Sequence, residues 1–337
     1  MTRASAARRL ASAAAVGSGG LGLLGGSLYA VMRAQAAYAR RVIGQATTPP
    51  PDADGTYGDQ SSHDGIRLLV VGDSSMAGYG MEHPTDTPPA MLASGLSHIA
   101  GRPVTVVSTA QVGARSSDLQ GQLDRGLTVR PDVVVLVIGA NDVTHRVWPS
   151  ESVRLLAAAV RRLRDAEIEV VVGTCPDLGT LRPLAQPLRE LARRWSRRLA
   201  AAQTIAVVEA GGRSVSLGSL LGPTFAMAPA ELFGPDRFHP SMAGYAGVVA
   251  ALLPSVAAAV GAWDDDGDEG ADHPNAAGGL VLPVSFAAAE AAVHEGLEVA
   301  ATQLAGRDRG PRGRWAQLQR RVRRADQLPA VADVRGR

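Results

Sequence analysis

Ile66-Arg67-Leu68-Leu69-Val70-Val71-Gly72-Asp73-Ser74-Ser75-Met76-Ala77-Gly78 decides the fold. A short apolar, β-branched run stops at a glycine and is followed at once by small polar residues. An unbroken run of this kind suits a strand buried on both faces of a parallel sheet. Similar runs recur at 104–107, 133–138, 169–172 and 205–208. Helical patterns lie between and after them, at 89–100, 116–125, 150–166, 184–202 and 240–260. In the fourth of these, Leu184, Leu188, Leu191, Trp195 and Leu199 recur at spacings of three and four, with arginines opposite. Five strands alternating with helices imply an α/β fold. The expectation is a flavodoxin-like three-layer α/β/α sandwich on a five-stranded parallel sheet, in the order 2-1-3-4-5.

Outward from this core, 66–261, the chain changes character. Residues 46–65 are rich in proline, glycine and small polar residues and read as a linker. Residues 1–45 read as an N-terminal hydrophobic anchor helix. Positions 11–32 carry no charge, and 22 residues can span a bilayer. Two rival readings are a cleaved signal, with Ala34-Gln35-Ala36 and Ala37-Tyr38-Ala39 as small-residue cleavage sites, and a buried soluble helix. The positive-inside rule leans to an inner amino terminus, which puts the main domain outside; a cleaved leader would make the protein secreted. Residues 262–280 form an acidic linker, and 281–337 an arginine-rich, helical C-terminal extension. Eight arginines between Arg307 and Arg324 surround Trp315, Leu318 and Val322, so this tail is a second candidate for contact with anionic lipid.

Composition limits the chemistry. The net charge of +2 argues against a nucleic-acid partner. Cys175 is the one cysteine, so no intramolecular disulfide and no cysteine-based metal site can form. No His/Asp grouping has ligand spacing.

In an open parallel sheet, ligands bind beyond the carboxyl ends of the strands. Strand one is followed by Gly72-Asp73-Ser74, strand two by Gln111-Val112-Gly113, and strand three by Gly139-Ala140-Asn141-Asp142. Asp236-Arg237-Phe238-His239-Pro240 precedes the last helix. A serine hydroxyl needs a base, and the base needs a partner that fixes its tautomer. Ser74, His239 and Asp236 are the candidates, with Pro240 expected in the first helical turn behind the histidine. An oxyanion needs donors, and the Ser74 N–H, the Gly113 N–H and the Asn141 amide are suited to supply them. His145 is read as a loop histidine, Cys175 as packing, and Asp73 and Asp142 as loop-bracing carboxylates. Asp177 and Arg182 follow strand four and are candidates for substrate contact.

Over about 67–260 the sequence resembles the SGNH/GDSL hydrolase family. Gly72-Asp73-Ser74 is similar to the family's first block. Gly113 corresponds to its second, Gly139 to Asp142 to its third, and Asp236 with His239 to its last. The asparagine common before the second-block glycine is missing: the segment here is Val107-Ser108-Thr109-Ala110-Gln111. Ser75 stands where the family name has leucine. The resemblance implies a Ser74/His239/Asp236 triad and an oxyanion hole of Ser74, Gly113 and Asn141. It also implies activity on a small-molecule or lipid ester without metal or organic cofactor. Esterase or lipase-like hydrolysis is the leading reading. A carbohydrate deacetylase and a non-catalytic, membrane-tethered binding module are the alternatives.

Overall fold

The computed structural model describes residues 26–44, 48–61 and 64–262, together with three short strands at 298–300, 303–304 and 307–308. In chain order the elements are helix α1 (26–43), β1 (Gly55–Tyr57), β2 (Ile66–Gly72), α2 (Ser74–Ala77), α3 (Pro88–Ala100) and β3 (Val104–Ser108). Next come α4 (Leu119–Gly126), β4 (Val133–Val137), α5 (Ala140–Thr144), α6 (Pro149–Asp165), β5 (Glu169–Gly173) and α7 (Leu188–Glu209). Then follow β6 (Arg213–Val215), α8 (Leu217–Met227), α9 (Pro229–Leu232), α10 (Met242–Ala259), β7 (Glu298–Ala300), β8 (Gln303–Leu304) and β9 (Arg307–Asp308).

The sheet is mixed and seven-stranded, in the order β1-β3-β2-β4-β5-β6-β7, which corrects the expected five-stranded parallel sheet. Its inner five strands pair in parallel. Antiparallel β1 and β7 cover the two edges. An uncovered edge presents unpaired N–H and C=O groups, so pairing outranks the local preference of a proline- and glycine-rich stretch. Gly55–Tyr57 therefore belongs to the sheet although 46–65 reads as a linker. The helical reading of 298–300, 303–304 and 307–308 is corrected too: β7 covers the β6 edge, and β8 and β9 pair with each other in a separate two-stranded antiparallel sheet. Residues 1–25, with most of the charge-free run, lie outside the described residues. So do nearly all of the acidic linker 262–280 and the rest of the C-terminal extension.

Alternate residues of the central strands feed two cores. Leu68, Val70, Val133, Val135 and Val137 pack with Leu92 and Leu96 of α3 and Val249, Leu252 and Val256 of α10. Leu69, Val71, Val134, Leu136 and Ile138 pack with Leu123 of α4, Leu156 and Leu163 of α6 and Val207 of α7. The period of two in the strands is thus converted into helices on both faces.

Residues 205–208, expected as the fifth strand, are the last turns of α7. Leu199, Gln203, Ala206 and Val207 continue its buried stripe, and the helix ends just before Gly211 and Gly212. Strand β6 follows this break. Helix α10 begins at Met242 behind the Ser241 N-cap, so Pro240 stands before the helix and not in its first turn. This helix is long and apolar enough to cross a membrane, but Tyr245, Val248, Val249, Leu252 and Val256 bury one side of it in the protein.

Candidate active site

Strand β2 delivers Ser74 to the carboxyl edge of the sheet. Gly72 has φ +149°, and a Cβ there would stand 2.2 Å from the Val137 carbonyl oxygen. Only glycine lets the chain turn this close to β4. Gln122 of α4, fully buried, clamps the same point: its amide donates to the Gly72 carbonyl and accepts the Gly72 N–H, both at 2.9 Å. Asp73 caps α2 by accepting from the Ser75 N–H at 2.9 Å and the Ser75 hydroxyl at 2.7 Å. Burial pushes the Asp73 carboxyl above the usual carboxylate range, against these two bonds. Ser74 opens the helix, so its N–H is among those left without an intrahelical acceptor.

The loop before α10 carries Asp236 and His239. The Asp236 carboxylate uses both oxygens: Oδ1 accepts the Phe238 and His239 N–H groups at 2.9 and 3.0 Å, and Oδ2 lies 2.6 Å from His239 Nδ1. Burial opposes ionisation of Asp236. The bonds from the His239 ring and the two backbone N–H groups outweigh it and hold its pKa below the usual range. The far ring nitrogen, Nε2, lies 2.9 Å from Ser74 Oγ. A Phe233–Pro240 bridge and a Gly234 N–H bond to the His239 carbonyl at 2.8 Å close the loop. Tyr79 and Phe238 flank the imidazole, with ring centroids 4.4 and 4.8 Å away.

The loop after β4 brings Asn141. Gly139 has φ +132°, and a Cβ there would meet Cys175 Cβ at 3.0 Å. Asn141 Nδ2 donates to the Ala114 carbonyl at 3.0 Å, which ties it to the residue after Gly113. Gly113 is an exposed turn residue with φ +81° and does not line the cavity next to Ser74. Asp142 is buried and accepts from the Ser116 N–H and hydroxyl, fixing the same loop from below. Burial raises the Asp142 pKa, again against its hydrogen bonds.

A cavity of about 100 Å³ adjoins Ser74 and Asn141. Its walls are mostly apolar: Leu178, Leu181, Leu217, Leu221, Phe225, Phe233 and Phe238. Asp177 lines it too, but its carboxylate is already engaged by the Gly179 N–H at 2.7 Å and by Arg197 at 3.0 Å. Arg182 points elsewhere, donating to the Ala226 carbonyl. His145 is exposed, with Nδ1 2.9 Å from the Asn141 carbonyl. Cys175 is buried against Gln203, whose amide accepts the Cys175 N–H at 2.8 Å and donates to the Ile138 carbonyl at 2.9 Å. Among the described residues, no three His, Cys, Asp or Glu side chains group so as to hold a metal ion.

Ser74, His239, Asp236 and Asn141 thus meet, while Gly113 is linked only through its neighbour. The reading of the sequence missed Gln122, Gln203, Tyr79 and the cavity wall from α8. The two glutamines left a signal, since each interrupts an apolar helix face: Gln122 beside Leu119 and Leu123, Gln203 between Leu199 and Val207.

A hydroxyl, an imidazole and a carboxylate in hydrogen-bonded series at the carboxyl edge of an α/β sheet have the geometry for nucleophilic acyl transfer. That class agrees with the comparisons. Residues 70–246 match the GDSL-like Lipase/Acylhydrolase family, and the chain belongs to it. GDSL-like esterase Rv1075c of Mycobacterium tuberculosis (strain ATCC 25618 / H37Rv) is 41% identical over 248 residues, 70% of this chain and 78% of that protein. Two solved structures also match. A catalytic mutant of Axe2, an acetylxylan esterase from Geobacillus stearothermophilus, is 20% identical, covering 57% of this chain and 94% of its own, with a TM-score of 0.46. LAE5, an alpha/beta hydrolase enzyme from the metagenome of Lake Arreo, Spain, is also 20% identical, covering 59% and 96%, with a TM-score of 0.46. The protein is an ester-hydrolysing enzyme.

Proposed function

We propose that the enzyme cleaves carboxylic esters of apolar acyl chains by acylation of Ser74. The observation that carries this reading is the unbroken series Asp236 Oδ2–His239 Nδ1 at 2.6 Å and His239 Nε2–Ser74 Oγ at 2.9 Å, beside an apolar cavity.

His239 Nε2 takes the Ser74 proton as Oγ bonds to the substrate carbonyl carbon. Asp236 holds the ring with Nδ1–H toward itself, which leaves Nε2 free to accept, and it stabilises the imidazolium that forms. The carbonyl oxygen becomes an oxyanion, met by the Ser74 and Gly113 N–H groups and the Asn141 amide. Collapse breaks the ester C–O bond, and the alcohol leaves with the proton from His239. Water then gives a proton to Nε2 and attacks the acyl-enzyme, releasing the acid and restoring Ser74. The walls from α8 and from the loop after β5 offer the acyl chain a dry surface. They offer few partners for a sugar's hydroxyl groups.

The test is a fluorophosphonate probe on the full chain, followed by an ester panel of graded acyl length. The expected result is labelling of the wild type, none of Ser74→Ala, and a kcat/KM that rises from acetate to longer acyl chains. Equal labelling of Ser74→Ala removes Ser74 from the mechanism. A preference for acetate on carbohydrate favours the deacetylase reading, and no turnover or labelling at all favours the binding module.

A further inference from the structure

The two aromatic rings beside His239 come from opposite halves of the site. Phe238 is its chain neighbour, belongs to the same loop as Asp236 and lines the apolar cavity. Tyr79 belongs to the other half. It follows α2, the short helix that Ser74 opens, and is not among the residues lining the cavity. Its ring centroid stands 4.4 Å from that of His239, with the two planes tilted by 54°.

The backbone of Tyr79 is fastened to the turn that carries Ser74. Its N–H donates to the Ser74 carbonyl at 3.1 Å, an acceptor shared with the Gly78 N–H. Gly78 has φ +74°, and a Cβ there would stand 2.6 Å from Thr87 Cβ, so the chain reverses tightly against the N-cap of α3. From α10, the hydroxyl of the fully buried Tyr245 donates to the Tyr79 carbonyl at 2.8 Å. The Tyr79 ring is therefore a wall built on the Ser74 turn and locked to the helix that follows His239.

The His239 ring reaches the Ser74 turn through the Nε2–Oγ bond at 2.9 Å and through its contact with Tyr79. Acylation removes the first. Oγ becomes an ester oxygen with no proton to give, so Nε2 loses its donor. The second half of the reaction still needs the imidazole in place, because Nε2 must take a proton from the attacking water. Asp236 holds Nδ1, yet one hydrogen bond leaves a ring free to swing about it. The contact with Tyr79 does not depend on the Oγ proton and outlasts it.

We propose that Tyr79 is the positioning residue of the acyl-enzyme, its ring keeping His239 over Ser74 once acylation has removed the hydroxyl bond. This deepens the reading of Ser74 as the nucleophile and rests on it. Because Tyr79 lies outside the cavity wall, its loss slows release of the acyl group and leaves its capture nearly unchanged.

The test is rapid-mixing hydrolysis of a p-nitrophenyl ester by the full chain, comparing the wild type with Tyr79→Leu, Tyr79→Ser and Tyr79→Phe. Slower deacylation lowers kcat and KM by one factor and leaves kcat/KM, which reports acylation, where it was. Tyr79→Leu and Tyr79→Ser are expected to release a burst of about one nitrophenol per chain at the wild-type rate. The steady state that follows is expected to show kcat and KM each about tenfold lower, with kcat/KM within about twofold of wild type. Tyr79→Phe keeps the ring and should match the wild type. Acid quenching and mass spectrometry should find the retained acyl group on Ser74. The two replacements differ in bulk and polarity, so a folding defect in one leaves the other to decide.

Wild-type constants in both replacements, or a joint fall of kcat and kcat/KM without a burst, overturn the positioning role and leave the reading of Ser74 standing. A Tyr79→Phe enzyme as slow as Tyr79→Leu assigns the effect to the hydroxyl and overturns the role of the ring. A wild type without turnover, or an acyl group carried by another residue, overturns both.

Discussion

Ser74 and His239, nucleophile and base of the proposed mechanism, are held by different physics. Ser74 is placed by the whole sheet: β2 lies between β3 and β4, Gly72 presses on Val137, and Gln122 reaches across from α4. Asp236 and His239 are placed by a loop that satisfies itself, through three hydrogen bonds to one carboxylate and a bridge between Phe233 and Pro240. A strand end is a fixed platform, and a loop braced by its own carboxylate is a locally made tool set upon it. Damage to the first is expected to appear as lost stability, and damage to the second as lost turnover in an intact fold.

The sharpest contrast comes from His239→Ala. Its kcat is expected to fall roughly 10⁵–10⁶-fold, the loss that removing the histidine of a Ser-His-Asp triad brings. Far-UV circular dichroism and the thermal midpoint should barely move. Asp236→Asn comes next: the neutral amide can no longer stabilise the imidazolium or enforce the Nδ1–H tautomer, and a loss of about 10⁴-fold in kcat is expected. A loss under tenfold would show that the sheet, and not the Asp236 turn, orients His239.

On the other side of the comparison, Gln122→Leu takes the side-chain acceptor from the buried Gly72 N–H, while the Gly72 carbonyl keeps the Gln111 N–H at 3.0 Å. The substitution should destabilise the fold by about 1–3 kcal/mol in denaturant unfolding. Wild-type stability in this variant would mean that the strand end is held by backbone pairing alone.

The smallest effect is on acid stability. Asp236 has a folded pKa below its ordinary 3.8. The stabilisation it adds is complete above the unfolded value and is lost as pH falls through the folded one. Asp236→Asn should therefore flatten the fall in unfolding free energy below about pH 4, relative to the wild type. An unchanged acid limb would assign that fall to other carboxylates.

How far each half could be read in advance follows the same division. Asp236 and His239 are three residues apart, so the bond that unites them is local and visible as a spacing. Ser74 was legible as a serine behind a buried strand, but its approach to His239 spans 165 positions and depends on strand order. The failures lay where local pattern and tertiary packing disagree. Residues 205–208 are β-branched and apolar, yet they continue the buried stripe of α7, and packing outweighs a weak propensity. Gly55–Tyr57 is only three residues long inside a proline- and glycine-rich stretch, and it pairs because an edge needed covering. Gly113, read as an oxyanion donor from its block, is tied to Asn141 through the neighbouring Ala114 carbonyl, a link that no spacing in the sequence records.

From its letters alone, the chain declared an α/β core of buried parallel strands and the order of its chemical blocks, because hydrophobic period and short-range hydrogen bonding are written along the sequence. It could not declare the two added edge strands, the glutamine clamps, or the shape of the apolar cavity. Those depend on which distant surfaces are left unpaired once the core has closed. That outcome is set by three-dimensional packing and by the demand that every buried polar group find a partner.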